Sequence, residues 1–324
     1  MSRSASDVSV ITVNWNGKEH LENLLPSLLS LRAREIIVVD NGSDDGSVEW
    51  IRSQHPTVRV LENSTNQGFC QPNNRGAREA RAPILAMINN DARAHPDWLQ
   101  AGLERLSGGV RCVASRILNW NGDRIDYNGS SLQYLGYALQ KDIGRLASEV
   151  STEDRALFPC GGAMLIERDY FLDLGGFDED YFAVYEDVDL GWRIWLEGGE
   201  VALAPDSVIY HRGHGTLSRH PDARMRYLMH RNALLTILKN YEDDSIRRVF
   251  PAALILAVRR AVLLSGVQRN SFYLWDASAR LPARHVDRID GLSHLVAVDD
   301  VLRMLPEAMR KREAVQRRRK RSDA

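Results

Sequence analysis

An α/β fold built on a parallel sheet is what this sequence predicts, on three observations. Short runs of β-branched and aliphatic residues alternate with amphipathic stretches through the amino-terminal third, the pattern of repeated strand–helix–strand units. The runs end in polar, glycine-bearing segments, "NWNG" (14–17), "DNGSDDGS" (40–47), "ENSTNQGF" (62–69) and "NNDARAHPDW" (89–98), and open α/β sheets gather ligands at those carboxyl ends. The chain of 324 residues, 44% hydrophobic and 26% charged, is long enough for a substantial core of ordinary soluble composition.

In order, "VSVITVNW" reads as a strand, "EHLENLLPSLLSL" as a helix, "EIIVVD" as a buried strand, "DDGSVEWIRSQ" as a helix and "VRVLEN" as a third strand. The helix "PNNRGAREAR" and the strand "ILAMINN" complete the series, with right-handed crossovers expected. Residues 107–157 have no clear period: "RCVASRIL" is a strand and the rest a loop or small hairpin. "CGGAMLIERDYFLDLGGFDEDYF" is a strand and short helix, an acidic helix follows, then the strands "EVALAP" and "SVIYH". The remainder reads as helices over 222–241 and 245–266 and a basic end.

A net charge of −1 argues against general nucleic-acid binding, and no recognised nucleic-acid module is present. Cys70, Cys112 and Cys160 lack the spacing of a zinc site or redox pair, which fits a reducing, cytoplasmic setting. The short polar opening and the interruption at Asn14 do not resemble a signal peptide. In "VFPAALILAVRRAVLLSGV", Arg259 and Arg260 fall mid-run, where each would cost ~2.5–3.5 kcal/mol in a spanning helix. The segment is expected to cover the protein or lie in a membrane interface. Residues 306–324 carry eight Lys/Arg against three acids, a tail suited either to disorder or to anionic lipid.

Four constellations carry chemistry. Asp40 at a strand end suits a nucleobase or ribose contact, and equally a cap on its turn. Asp91, two residues after Asn89, offers oxygen to a hard cation such as Mg²⁺ or Mn²⁺ that would hold a diphosphate; Asn-Asn-Asp is also a good turn. In "YEDVDLGWRIW", positions 188, 192 and 195, and 190 and 194, make an apolar helix face, and Asp189 stands four residues before Arg193, an ion-pair spacing. Asp187 is left in the first turn, where it suits a general base or simply complements the helix N-terminus. His211 and His214 of "YHRGHGT" suit a cation or a phosphate oxygen, or plain solvation.

Taken together, "VNWNG", "IIVVDNGSDDGS", "NQGFCQPNNRGA", "INNDARAHPDWL", "CGGAMLIERDYFLDLGGFDEDYFAVYEDVDLGWR" and "YHRGHGT" closely resemble the family 2 inverting glycosyltransferases, particularly their bacterial rhamnosyltransferase-like branch, from about Val8 to Tyr241. The resemblance implies a GT-A fold, a Rossmann-like mixed sheet flanked by helices, binding a nucleotide-diphospho-sugar, with UDP or dTDP as the nucleotide. Asn14, Asn16, Asp40, Asn41, Gly68, Asn74 and Asn90 would line the nucleotide-sugar pocket. Asp91, helped by His211 because Asn89 replaces the acid many relatives carry, would hold the divalent cation. Asp187 would be the base, with Glu186 positioning the acceptor or the base.

The implied acceptor is a glycan or lipid-linked hydroxyl in cell-envelope polysaccharide synthesis, with peripheral attachment to the cytoplasmic face of the inner membrane. The expected organisation is a catalytic domain over 1–241, a helical extension over 242–305 and a disordered tail over 306–324. A dinucleotide oxidoreductase is disfavoured because "VSVITVNWNGKEHLENLL" has no glycine-rich turn. A non-catalytic nucleotide-sugar-binding or scaffold protein is the remaining alternative.

Overall fold

The computed structural model describes residues 3–151, 154–213, 222–264 and 289–323. Its elements in chain order are β1 (Val8–Asn14), α1 (Lys18–Ser30), β2 (Glu35–Asp40), α2 (Ser47–Gln54), β3 (Arg59–Glu62), α3 (Cys70–Glu79), β4 (Ile84–Ile88), β5 (Ala92–Ala94) and α4 (Trp98–Arg105). There follow β6 (Val110–Asn119), β7 (Ile125–Tyr127), β8 (Ser130–Leu132), β9 (Ala138–Gln140), β10 (Arg155–Ala156), β11 (Ala163–Glu167), α5 (Arg168–Asp173), α6 (Glu186–Leu196) and β12 (Glu200–His211). The last helices are α7 (Asp222–Asn240), α8 (Asp243–Leu264) and α9 (Ile289–Arg318).

The chain divides into two compact units. The first contains Met1–Gln133, Ala138–Thr216 and Arg318–Ser322. Its sheet runs β10-β12-β6-β11-β4-β1-β2-β3, with β5 on β12 and β7 on β6. As the strand–helix alternation predicts, β1 to β4 are mutually parallel. The sheet then turns mixed, because β11 lies antiparallel to both β4 and β6. Ile11, Ile37, Val38, Leu85 and Met87 are fully buried in it, and α1 contributes Leu21, Leu24, Leu25 and Leu28 at helical spacing. Such burial stabilises by roughly 1.5–3 kcal/mol per large aliphatic side chain.

Three expectations change. "EVALAP" and "SVIYH" are one strand, β12, whose register against β6 slips between Ala204 and Val208. The middle stretch adds a short strand, β7, before the small hairpin expected there, β8–β9. The boundary also moves, since α7 belongs to the second unit, made of Tyr134–Tyr137, Leu217–Arg317 and Asp323–Ala324, where it packs with α8.

The tail expected to be disordered from 306 is helical through Arg318. Its cations have found partners. In the second unit Arg312 donates to the Leu238 carbonyl at 2.7 Å and pairs with Asp243 at 2.6 Å; in the first, Arg318 pairs with Asp173 and Glu197. Among the described residues no helix is long and apolar enough to cross a membrane.

Candidate active site

The carboxyl ends of β1, β2 and β4 are tied by one polar network. Asn14 accepts from the Asn90 side chain at 3.0 Å and donates to Asp40 at 3.1 Å and Ser47 at 3.1 Å. The chain can bring these amides together because residue 17 is glycine; a Cβ there would stand 2.4 Å from Asn90 Nδ2.

Asp40 takes the backbone N–H groups of Gly42 (3.1 Å) and Ser43 (2.8 Å) on one oxygen, and Asn14 with the Ser43 hydroxyl (2.7 Å) on the other. Four donors saturate a carboxylate that is only 2% exposed. Asp40 therefore caps its turn, one of the two roles its position at the strand end suits. Asn41 accepts from Asn63 at 2.9 Å and donates to the Gly68 carbonyl at 2.7 Å, joining β2 to the next loop. Asn16, half-buried, sits at φ 48° and accepts from the Asp44 N–H at 2.8 Å.

Asn74 also ties neighbouring segments together. Its amide donates to the Phe177 carbonyl at 2.8 Å and to Glu179 at 3.0 Å, and its oxygen accepts from the Phe177 N–H at 2.9 Å, so it pins the 176–179 loop to α3. Gly68 serves a close approach: at φ +80°, a Cβ would fall 2.3 Å from the Phe182 carbonyl oxygen, and that oxygen accepts the N–H groups of Phe69 and Cys70. Thr12, Gln67 and Gln71 also carry buried side-chain oxygens without a hydrogen-bond partner among the described residues.

The segment leading into α6 is strained. Phe182, Val184 and Tyr185 have φ of 64°, 72° and 73°, a region that bulky and β-branched residues rarely adopt and that marks functional sites when the surroundings enforce it. It presents Glu186 and Asp187 side by side. Asp187 accepts from the Gly161 N–H at 2.9 Å and the Val188 N–H at 2.7 Å. Burial raises its carboxyl above the ordinary value, and those N–H groups pull it part of the way back. Glu186 is 6% exposed, and its Oε2 has no partner among the described residues. Burial first, then the Asp187 charge, pushes it well up. Asp189 forms the expected ion pair with Arg193, at 2.8 Å and fully buried, while Arg193 also binds the Leu174 and Gly176 carbonyls at 2.8 and 2.7 Å.

Two glycines join the halves of the site. Gly161 holds Asp187, and the carbonyl of Gly162 accepts the Asn89 N–H at 3.0 Å. A Cβ at Gly162 would reach within 2.7 Å of Asn89 Nδ2. The doublet before a strand was the legible signal.

Across from them, the His211 imidazole lies between two carboxylates: Nε2 is 3.1 Å from Asp91 Oδ1, and Nδ1 is 2.6 Å from Asp126 Oδ2. Burial opposes its charge, but the hydrogen bonds and charges of Asp126 and Asp91 raise its pKa to about 10. Burial raises Asp91 too, but His211 outweighs it and holds that carboxyl below its ordinary value. Cis ligands on an octahedral cation with ~2.1 Å bonds stand about 3 Å apart, so Asp91 and His211 fit one cation that replaces the Nε2 proton. Among the described residues no cluster of three or more ligating side chains exists. The remaining ligands would be diphosphate oxygens and water, as Mg²⁺ commonly takes. His214 lies outside the described residues.

The sequence profile described as "Glycosyl transferase family 2" matches residues 9–175, just over half of the chain. The chain belongs to glycosyl transferase family 2. This family 2 chain is 28% identical over 235 residues to the N-acetylglucosaminyl-diphospho-decaprenol L-rhamnosyltransferase of Mycobacterium tuberculosis, covering 64% of the chain and 76% of the relative. It is 27% identical over 201 residues to polypeptide N-acetylgalactosaminyltransferase 4 of Caenorhabditis elegans, covering 58% of the chain and 33% of the relative. It spans 37% of N-acetylgalactosaminyltransferase 6 of Drosophila melanogaster, so it corresponds to about a third of the length of those animal proteins.

Among solved structures it superposes on GalNAc-T7 with UDP, GalNAc and Mn²⁺ (TM-score 0.58, 16% identity, 93% of this chain and 57% of that one). It also superposes on the mannosyltransferase PcManGT of Pyrobaculum calidifontis with GDP-Man and Mn²⁺ (TM-score 0.53, 17% identity, 91% and 87%). The fold of the family 2 chain is GT-A, as the resemblance implies.

Proposed function

We propose that this chain is an inverting glycosyltransferase that moves a sugar from a UDP- or dTDP-sugar, with dTDP-rhamnose the first candidate, to a hydroxyl of a glycan or lipid-linked acceptor in cell-envelope polysaccharide synthesis. The observation that carries the reading is the Gly161–Gly162 bridge, which holds the carboxyl of Asp187 on one side and the Asn89–Asp91 turn on the other. Asp187 removes the acceptor hydroxyl proton as the new bond forms at the anomeric carbon, and the bond to the nucleotide diphosphate breaks on the opposite face. Glu186, protonated, donates to a sugar oxygen. Asp91 and His211 would hold a divalent cation, Mg²⁺ or Mn²⁺, which when bound would supply positive charge to the departing diphosphate.

The name of the mycobacterial relative supports the rhamnosyl donor and the lipid-linked acceptor. A peripheral site on the cytoplasmic face of the membrane is part of the proposal, supported by α8, where Ile255, Val258 and Val262 are exposed near Arg259.

A thermal-shift panel of UDP, dTDP and GDP, each with Mn²⁺, Mg²⁺ or EDTA, tests the donor and cation together. Ligand at a hundred times its dissociation constant adds about 2.7 kcal/mol. Stabilisation by UDP or dTDP that is lost in EDTA is expected; no shift with any nucleotide contradicts the reading.

A further inference from the structure

We propose that Asp126 is the positioning residue of the cation site, holding His211 in the tautomer and orientation that turn Nε2 toward Asp91. The inference rests on the cation reading above. Asp126 is no ligand in this arrangement: it contacts Nδ1, the ring nitrogen not used toward Asp91, at 2.6 Å. A ligating imidazole needs an unprotonated nitrogen aimed at the metal, and a carboxylate that takes the proton of the other nitrogen supplies both the tautomer and the aim.

The backbone is shaped for this contact. On β7, Tyr127 pairs with Ile117 of β6, and Ile125 pairs with the very next residue, Leu118. Asp126 is thus the extra residue of a β-bulge, a device that re-aims a side chain beside a functional site. His211 lies on β12, another neighbour of β6, opposite Asn119, so the bulge brings a carboxylate across β6 to the imidazole. The Asp126 side chain is 39% exposed and His211 21%. The packing of a hydrophobic core therefore does not account for the contact.

The test is the affinity for Mn²⁺, followed through the signal of free Mn²⁺ by electron paramagnetic resonance, with and without saturating UDP or dTDP. Asp126→Ala should weaken Mn²⁺ by about 10–100-fold, the usual cost of losing such a partner. Asp126→Asn, which keeps an oxygen for the Nδ1 proton, should lose less. Melting temperatures in EDTA, unchanged in both variants, exclude a merely structural effect. Wild-type protein that bound no Mn²⁺ would overturn the cation reading and the inference with it. Wild-type binding matched by Asp126→Ala would overturn the inference alone and leave the transferase reading standing.

Discussion

Glu186 and Asp187 are chemically similar neighbours in different surroundings. Asp187 has two backbone N–H donors that favour its charged form, whereas one oxygen of Glu186 is buried without a partner among the described residues. Because burial raises the Asp187 carboxyl, its basic form is lost on acidification at a higher pH than for an ordinary Asp near 3.9. The acidic limb of kcat/KM for transfer should therefore have an apparent pKa above that value, and a limb at or below it would contradict Asp187 as the base. The rest of the residue scale was unevenly legible. The Asp189–Arg193 pair follows from spacing alone, since helical geometry brings i and i+4 together. The structural partners of Asp40 and Asn74 were not legible, because a buried cap and a ligand contact use the same polar side chains and the groups they bind lie on other segments of the chain.

At the scale of elements, α6 is what fixes the base. Its apolar face and first-turn acids are readable from periodicity, but the left-handed backbone at Phe182, Val184 and Tyr185 is not, because nothing in those side chains favours it. Surrounding contacts enforce it, including the Phe182 carbonyl seated over Gly68. The bulge at Asp126 was hidden for a similar reason, lying in a stretch without period. Removing one member of the buried pair that holds α6 should be costly: Asp189→Ala leaves the Arg193 charge buried and should destabilise by about 3–5 kcal/mol in chemical denaturation. Asp187→Asn, at a half-buried position, should alter the denaturation midpoint far less. Equal losses would mean that Asp187 is also a structural acid.

At the scale of the whole molecule, the alternation of the first strands was legible because each βαβ unit closes locally, whereas β5 and β11 pair across long stretches of chain. The second unit was legible as helices, and its small buried stripe of Val249, Ala253, Ala257 and Ala261 on α8 follows a four-residue period. The exposed Ile255, with 70% of its surface accessible, lies off that stripe. Co-sedimentation with anionic liposomes at low salt should fall when Ile255 and Val262 are both changed to Glu; wild-type protein that ignored such vesicles would remove the membrane from the account. The most direct test of the central claim is single-turnover transfer from the nucleotide-sugar chosen by the thermal-shift panel, comparing wild type with Asp187→Asn. The account predicts a rate lower by ~10²–10⁴-fold with nucleotide binding retained and, in the wild type, a product of inverted anomeric configuration. Near-normal transfer by the variant, or retention of configuration, would contradict it.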